Sequence, residues 1–114
     1  MRIFNKTKNT LIAQKVSVAD TFFSRLIGLC NRTSLFKEEA LLIPRCKAIH
    51  MFFMRFSIDV IFLDQKNHVV GMMKAIRPFQ FSPIIWKACC ALEVCQGTIA
   101  RTNTALGDQI EIEK

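Results

Sequence analysis

The sequence predicts a mainly β fold, a small antiparallel β-sandwich or distorted barrel of about seven or eight strands with one short N-terminal helix. Three observations support this prediction. Short apolar or alternating segments recur between turn-forming residues. A single segment has clear helical periodicity, and strands do not alternate with helices as in parallel α/β folds. The chain has 114 residues, a usual length for one domain, so residues 1–114 are predicted to form a single domain.

The first thirty residues contain a predicted hairpin followed by the predicted helix. Residues 2–5 and 10–16 are apolar segments on either side of the turn-forming sequence Asn-Lys-Thr-Lys-Asn, so we expect two paired strands. Asp20 is a suitable N-cap for a helix over residues 21–30. The apolar side chains of that segment fall on one arc at helical spacing, which predicts a helix packed on an apolar surface.

A long apolar run from Cys46 to Asp64 follows a predicted strand at residues 40–44. The even-numbered residues of the run are almost all apolar, which predicts one inward-facing strand face. A straight strand of this length would extend roughly 63 Å. Because a globule of this size is only about 35 Å across, we expect a bend at residues 55–57.

Three further strands are predicted in the C-terminal half. They cover residues 69–76, 89–94 and 109–113, and each is bounded by turn-forming residues. Asn67 is the residue best suited to a positive φ in the turn over residues 64–68, and Gly97 and Gly107 are predicted turn glycines.

Composition excludes several classes of protein. The chain is 51% hydrophobic, too apolar for intrinsic disorder, and no stretch approaches the roughly 18 uncharged apolar residues of a membrane span. Residues 1–55 carry ten basic and three acidic side chains, which equals the whole net charge of +7. Such a surface suits a nucleic acid, an acidic partner or an anionic membrane. Nucleic acid is disfavoured because the aromatic residues have core periodicity.

The cysteines indicate reduced thiols. There are five, an odd number, with an adjacent pair and no Cys-x-x-Cys motif, so a secreted disulfide framework is not expected. The N-terminal residues lack an apolar signal core, and a cytoplasmic location is therefore predicted.

Cys46, His50 and Met54 recur every four residues in the apolar run. Their side chains are soft metal ligands, and Cys46 with His50 also suits a nucleophile and its base, with Asp59 or Glu93 orienting the imidazole. In an extended strand, however, neighbouring members lie about 13 Å apart. We therefore expect no metal, no cofactor and no catalysis, and we keep a Cys/His enzyme or metal site as the alternative.

Charged residues in the same run suggest a binding site. Arg55 and Asp59 lie among apolar residues, where a charge is costly unless it is paired. We expect Arg25, His50 and Arg55 to bind a small anion or a carboxylate-bearing peptide, with Asp59 orienting an arginine. The alternative is a buried ion pair that fixes the corner between strands. Secondary candidates for the site are Cys46, Met54, Glu93 and Asp108.

The chain resembles the uncharacterised family called domain of unknown function 192 over residues 16–112. The resemblance rests on an ordered set of motifs: SRLIGL at 24–29, LLIP at 41–44, CKAIH at 46–50, MRFSIDVIFLD at 54–64, LEV at 92–94 with Gly97, and Gly107-Asp108. The chain departs from the family pattern at Met51, where a threonine is usual, at Ser57, where a proline is usual, and at Asn67, where a glycine is usual. The hydroxyl beside His50 is thereby lost.

The resemblance implies a mainly β domain and no established activity. The subgroup with Cys-x-x-x-His before Met-Arg-Phe is often encoded beside pilus or type II secretion machinery, which implies an accessory protein partner. From the residues and the resemblance together, we expect a non-catalytic binding or accessory module. Nucleic-acid binding through the basic first half is kept as a further alternative.

Overall fold

A computed structural model describes residues 1–19, 34–51 and 54–114 of the chain. Within them lie eight strands and one helix: β1 (Arg2–Asn5), β2 (Thr10–Ala13), β3 (Lys15–Val18), β4 (Glu39–Pro44), β5 (Ile58–Leu63), β6 (Val69–Ile76), β7 (Cys90–Cys95), α1 (Thr98–Thr102) and β8 (Ile110–Glu113). One sheet has the order β2-β1-β8 and the other the order β3-β4-β7-β5-β6. The predicted mainly β sandwich is confirmed, and neither described sheet closes into a barrel.

The predicted N-terminal hairpin is correct, but its second strand ends early. β1 and β2 are antiparallel, whereas β3 leaves for the other sheet and runs parallel to β4. The chain changes sheets at Gln14, where the N–H groups of Gln14 and Lys15 both donate to the carbonyl of Glu38 at 3.0 and 3.1 Å. The single strand predicted over residues 10–16 is therefore two strands in two sheets.

The predicted helix and the described helix lie in different parts of the chain. The helix predicted over residues 21–30 lies outside the described residues. The described helix, α1, follows Gly97 and was not predicted, because its five residues are too short for periodicity to show. Gly97 and Gly107 have φ values of 94° and 88°, and Asn67 has 62°, which confirms the three predicted turns.

The long apolar run is a strand only in its second half. The chain bends at Phe56, as predicted, and β5 begins at Ile58. Over residues 46–51 the predicted inward face is wrong, since Ala48 is exposed while Ile49 and Met51 are buried, whereas Met54 is buried as predicted. This part has no sheet ladder to impose a two-residue period, and a single bridge joins His50 to Phe81.

The five-stranded sheet is covered on both faces. The inter-sheet core, between the two sheets, contains Ile3, Ile12, Ile61, Leu63, Leu92, Val94, Ile99 and Ile110. The loop-side core, on the opposite face, contains Leu41, Ile49, Met51, Met54, Ile58, Val60, Phe62 and Ala91. All six residues of β5 are buried because this strand lies between β7 and β6 and has a core on each face.

Candidate functional site

Asp59 faces the inter-sheet core. Successive side chains of a strand point to opposite faces. Ile58 and Val60 belong to the loop-side core, so Asp59 points the other way, as does its cross-strand partner Val94. The side chain of Asp59 is 2% exposed. This candidate ligand-binding residue is therefore directed away from the face of the sheet that carries His50 and its neighbours.

Three backbone N–H groups donate hydrogen bonds to the Asp59 carboxylate. Ala75 donates to Oδ1 at 2.8 Å, and Gly97 and Ile99 donate to Oδ2 at 3.1 and 3.0 Å. Ala75 has a φ of 51° where the β5–β6 register shifts, and Gly97 provides no side-chain cap for α1. Asp59 thus stabilises a β-bulge and caps a helix from a distant strand.

His50 lies on the opposite, loop-side face of the sheet, in segment 47–51. This segment and the loop of residues 77–87 enclose a groove of about 410 Å³ lined by Ala48, Ile49, His50, Phe81, Ser82 and Ile84. The groove is mainly apolar, with one half-exposed imidazole. Among the described candidates, His50 is the one that lines it.

Backbone hydrogen bonds hold the loop against segment 47–51. Met51 N–H donates to the Gln80 carbonyl at 2.8 Å, and the Met51 carbonyl accepts from Phe79 N–H at 2.9 Å. Ser82 N–H donates to the Ile49 carbonyl, and the Ser82 hydroxyl accepts from Ile49 N–H, both at 2.8 Å. The groove therefore has a defined backbone on both sides.

Ile85 anchors the loop on the sheet. It packs against the loop-side core, and its side chain lies where a β-carbon on Gly71 would meet it at 3.1 Å. The absence of a side chain at Gly71 lets the loop approach strand β6 closely.

The other primary candidates are not brought together with His50 in the described part of the chain. Arg25 lies outside the described residues. Arg55 is exposed just before the bend, and Asp59 faces the other core. The alternative prediction is an ion pair of Asp59 with Arg55. In the structure the Asp59 carboxylate accepts instead from the three backbone N–H groups.

Cys46 does not line the groove. It is half-buried, its thiol donates to the carbonyl of Ala48 at 3.1 Å, and it lies close enough to Cys90 to influence that thiol electrostatically. Cys89, Cys90 and Cys95 are free thiols. Within that same part of the chain, no group of three or more His, Cys, Asp or Glu side chains could hold a metal ion.

Cys90 is expected to be a slow-reacting thiol. Burial raises the pKa of Cys90 to about 11, and the neighbouring Cys89 and Cys46 contribute to the increase. Because the thiolate is the nucleophile, about a hundredfold less of it is present at pH 8 than for a thiol at the ordinary value of 9.0. Peptide mapping after timed iodoacetamide treatment should find Cys90 modified far more slowly than a free cysteine-containing peptide. Equal rates would contradict the buried environment.

Comparison with known proteins agrees with the family resemblance. A family model described as Uncharacterized ACR, the domain of unknown function 192 (DUF192), matches residues 3–112. The chain belongs to the DUF192 family. Its relatives include a UPF0127 protein of Thermococcus sibiricus, 39% identical over 97% of this chain and 74% of the relative. A UPF0127 protein of Pyrococcus furiosus is 30% identical over 96% of each chain.

A solved structure shares the fold of this DUF192 chain. The crystal structure of a protein of unknown function from Novosphingobium aromaticivorans matches with a TM-score of 0.81 and 21% identity. The match covers 97% of this chain and 82% of the other. At this identity the similarity supports the fold and not a function.

Asp108, a secondary candidate, belongs to a buried polar network in this DUF192 chain. Its carboxylate accepts from Asn5 Nδ2 at 2.9 Å, from Lys8 Nζ at 2.8 Å and from Ala105 N–H at 3.0 Å. Burial raises the pKa of Asp108, but the hydrogen bonds from Asn5, Lys8 and Ala105 and the charge of Lys8 outweigh burial, so its pKa lies below the ordinary value. The network joins the first hairpin to the turn before β8.

The remaining secondary candidates are buried on the loop-side face. Glu93 is fully buried at the centre of β7, opposite Leu41 on one neighbour and Val60 on the other, and both of those residues belong to the loop-side core. Met54 is 5% exposed in the same core. Neither residue lines the groove.

Sequence reasoning missed the groove's second wall, the loop of residues 77–87. Two signals in the sequence pointed to it: prolines at positions 78 and 83, and large apolar residues at positions 79, 81, 84 and 86. What the sequence did not show is that this loop pairs with the segment containing His50.

No helix within the described residues of this DUF192 chain could cross a bilayer.

Proposed function

We propose that this DUF192 protein is a non-catalytic binding module whose groove takes a small carboxylate-bearing ligand with an apolar body. The groove between segment 47–51 and loop 77–87 carries the proposal. Its volume of about 410 Å³ falls within the range of small-molecule sites. Its lining combines apolar walls with one imidazole, the composition expected for an amphiphilic ligand.

The lining suggests how such a ligand would be oriented. Ile49, Phe81 and Ile84 offer apolar contact for the ligand body. The imidazole of His50 lines the groove and can donate an N–H group to a carboxylate. Arg55, which is exposed five residues later, and Arg25 stay predictions as further anion-binding residues. Asp59 is not part of the proposed site, because its carboxylate is directed to the opposite core.

Fluorescence titration tests the ligand class. Trp86 is the sole tryptophan and lies two residues after Ile84 in the groove loop, so it reports on this region. We expect decanoate, below its micelle concentration, to change Trp86 emission in a saturable way. Decanol lacks the charge and acetate lacks the apolar body, so each should bind at least about tenfold more weakly.

A histidine pair provides the matched variants. His50→Ala should weaken decanoate binding by about tenfold or more, the loss of one hydrogen bond to a charged group. His68→Ala, in the turn before β6, should leave binding unchanged because His68 does not line the groove. Equal binding of decanoate and decanol, or equal effects of the two substitutions, would contradict the proposal.

The alternative functions make different predictions. Nucleic-acid binding is the second candidate, favoured by the excess of exposed cations, and it predicts an oligonucleotide gel shift that weakens steeply with salt. An enzyme based on Cys46 and His50 has less support, because Cys46 does not line the groove. A cytoplasmic location and a partner in pilus or secretion machinery stay predictions, for which fractionation and co-purification are the tests.

A further inference from the structure

The structure points to a second role for loop 77–87: we infer that it docks the protein on an anionic lipid surface. This inference goes beyond the proposed groove, because it also depends on exposed side chains and charges outside the groove lining, among them Phe79, Trp86 and Lys87. It would hold even if the groove bound no carboxylate. Three features carry it: exposed apolar side chains, a fixed loop backbone, and lysines beside Trp86.

Four large apolar side chains of the loop are exposed. Phe79 is 67% exposed, Phe81 64%, Ile84 53% and Trp86 75%. We call these four residues the apolar rim. Single exposed apolar residues are ordinary on a protein surface, but four within eight consecutive residues are typical of an interaction surface.

The backbone of the rim is held in place. Four backbone hydrogen bonds of 2.7–2.9 Å join residues 79–85 to residues 47–51. Lys47 adds a side-chain clamp, since its ammonium group donates to the carbonyls of Trp86 at 2.9 Å and Ala88 at 2.7 Å. The rim is therefore presented without a large ordering cost on binding.

Two segments of the chain that contribute residues to this surface are rich in basic side chains. Residues 40–58 and 65–92 contain seven basic and no acidic side chains, whereas the rest of the chain contains nine of each. All seven cations are exposed: Arg45, Lys47, Arg55, Lys66, Lys74, Arg77 and Lys87. The charge count for residues 1–55 does not show this pattern, because the basic residues of the second segment all follow residue 55.

Trp86 and three of these cations share one depression. It has a volume of about 480 Å³ and is lined by Lys47, Asp64, Gln65, Lys66, Trp86, Lys87 and Cys89. The Asp64 carboxylate accepts hydrogen bonds from the N–H groups of Lys66 and His68, both at 2.9 Å, and these bonds stabilise the turn over residues 64–68. Indole rings prefer the membrane interface, and lysines near them are attracted to anionic headgroups.

An anionic bilayer fits this combination better than other partners do. Stable membrane attachment requires an apolar contact together with a basic patch, and the surface provides both. A symmetric dimer through this face would place like charges against each other. A single-stranded nucleic acid would use flat aromatic platforms, to which Ile84 contributes nothing.

Vesicle sedimentation with the full chain tests the inference. We expect the protein to sediment with vesicles of phosphatidylcholine and phosphatidylglycerol at least about tenfold more strongly than with phosphatidylcholine alone, and less strongly at high salt. Trp86 emission should shift to shorter wavelength only with the anionic vesicles. No binding, or equal binding to both compositions, would overturn the inference. An oligonucleotide gel shift in the absence of vesicle binding would also overturn it and favour nucleic acid.

Paired surface variants identify the docking residues. Phe79→Ser should weaken vesicle binding about tenfold, whereas Leu106→Ser, at a residue of similar exposure in another turn, should not. Lys87→Gln should weaken binding about fivefold, and Lys15→Gln on β3 should have little effect. Equal losses within either pair would overturn the assignment. His50→Ala should leave vesicle binding intact, which separates this inference from the proposed carboxylate site.

Discussion

Replacing Asp59 by alanine is expected to lower the free energy of unfolding by about 3–5 kcal/mol. The carboxylate is 2% exposed and satisfies three backbone N–H groups, from Ala75, Gly97 and Ile99. Alanine leaves all three donors without this acceptor, and it removes the support for the positive φ of Ala75. Urea denaturation monitored by circular dichroism measures the loss.

Asp64→Ala is the matched control for that prediction. Asp64 also accepts from two backbone N–H groups, those of Lys66 and His68. Its side chain is 30% exposed in a turn, however, so water can replace it, and we expect a loss of about 1 kcal/mol or less. Similar losses for the two variants would show that Asp59 is not the structural centre described above.

The second large effect is expected at Asp108. Asp108→Asn should lower the free energy of unfolding by about 1–3 kcal/mol at pH 7, because it weakens the hydrogen bonds from Asn5, Lys8 and Ala105 and removes the ion pair with Lys8. Denaturant midpoints of the two proteins, measured at a series of pH values, provide the test.

The pH dependence of that difference follows from the lowered pKa of Asp108. A carboxyl with a lower pKa in the folded state than in the unfolded state stabilises the fold above the unfolded value of about 3.9. The stabilisation is lost as the pH falls through the folded-state pKa. The gap between wild type and Asp108→Asn should therefore be constant near neutrality and shrink in acid. A gap that widens in acid would contradict the assignment.

Much of the fold could be predicted because it is encoded locally. The β5–β6 hairpin follows from two apolar segments around a turn that contains Asn67, and β8 follows from the alternation of Ile110 and Ile112 after Gly107. Prediction failed where the segment is not paired in a sheet and so lacks the two-residue period of a strand. Residues 46–51 were predicted to be part of a strand but form a loop, so burial there follows contacts with the 77–87 loop and not strand geometry.

The candidate site could be predicted only in part, since its geometry depends on distant residues. Asp59 was correctly singled out as a charge in an apolar setting. Its partners are backbone groups 16, 38 and 40 residues away, which side-chain chemistry cannot reveal. His50 was placed among candidates by its type, while the groove beside it arises from pairing with Phe81. The groove therefore depends on how the fold brings two distant segments together.

The most direct test of the proposed binding face is amide chemical-shift mapping by nuclear magnetic resonance during a titration with decanoate. The amides of residues 48–50 and of Phe81, Ser82 and Ile84 should shift together and saturate at one ligand concentration, because these residues line the groove. Amides around Asp59, Gly97 and Ile99 should shift little, since they lie on the inter-sheet side. Saturable shifts centred on Asp59, with residues 48–50 and 81–84 unchanged, would contradict the account.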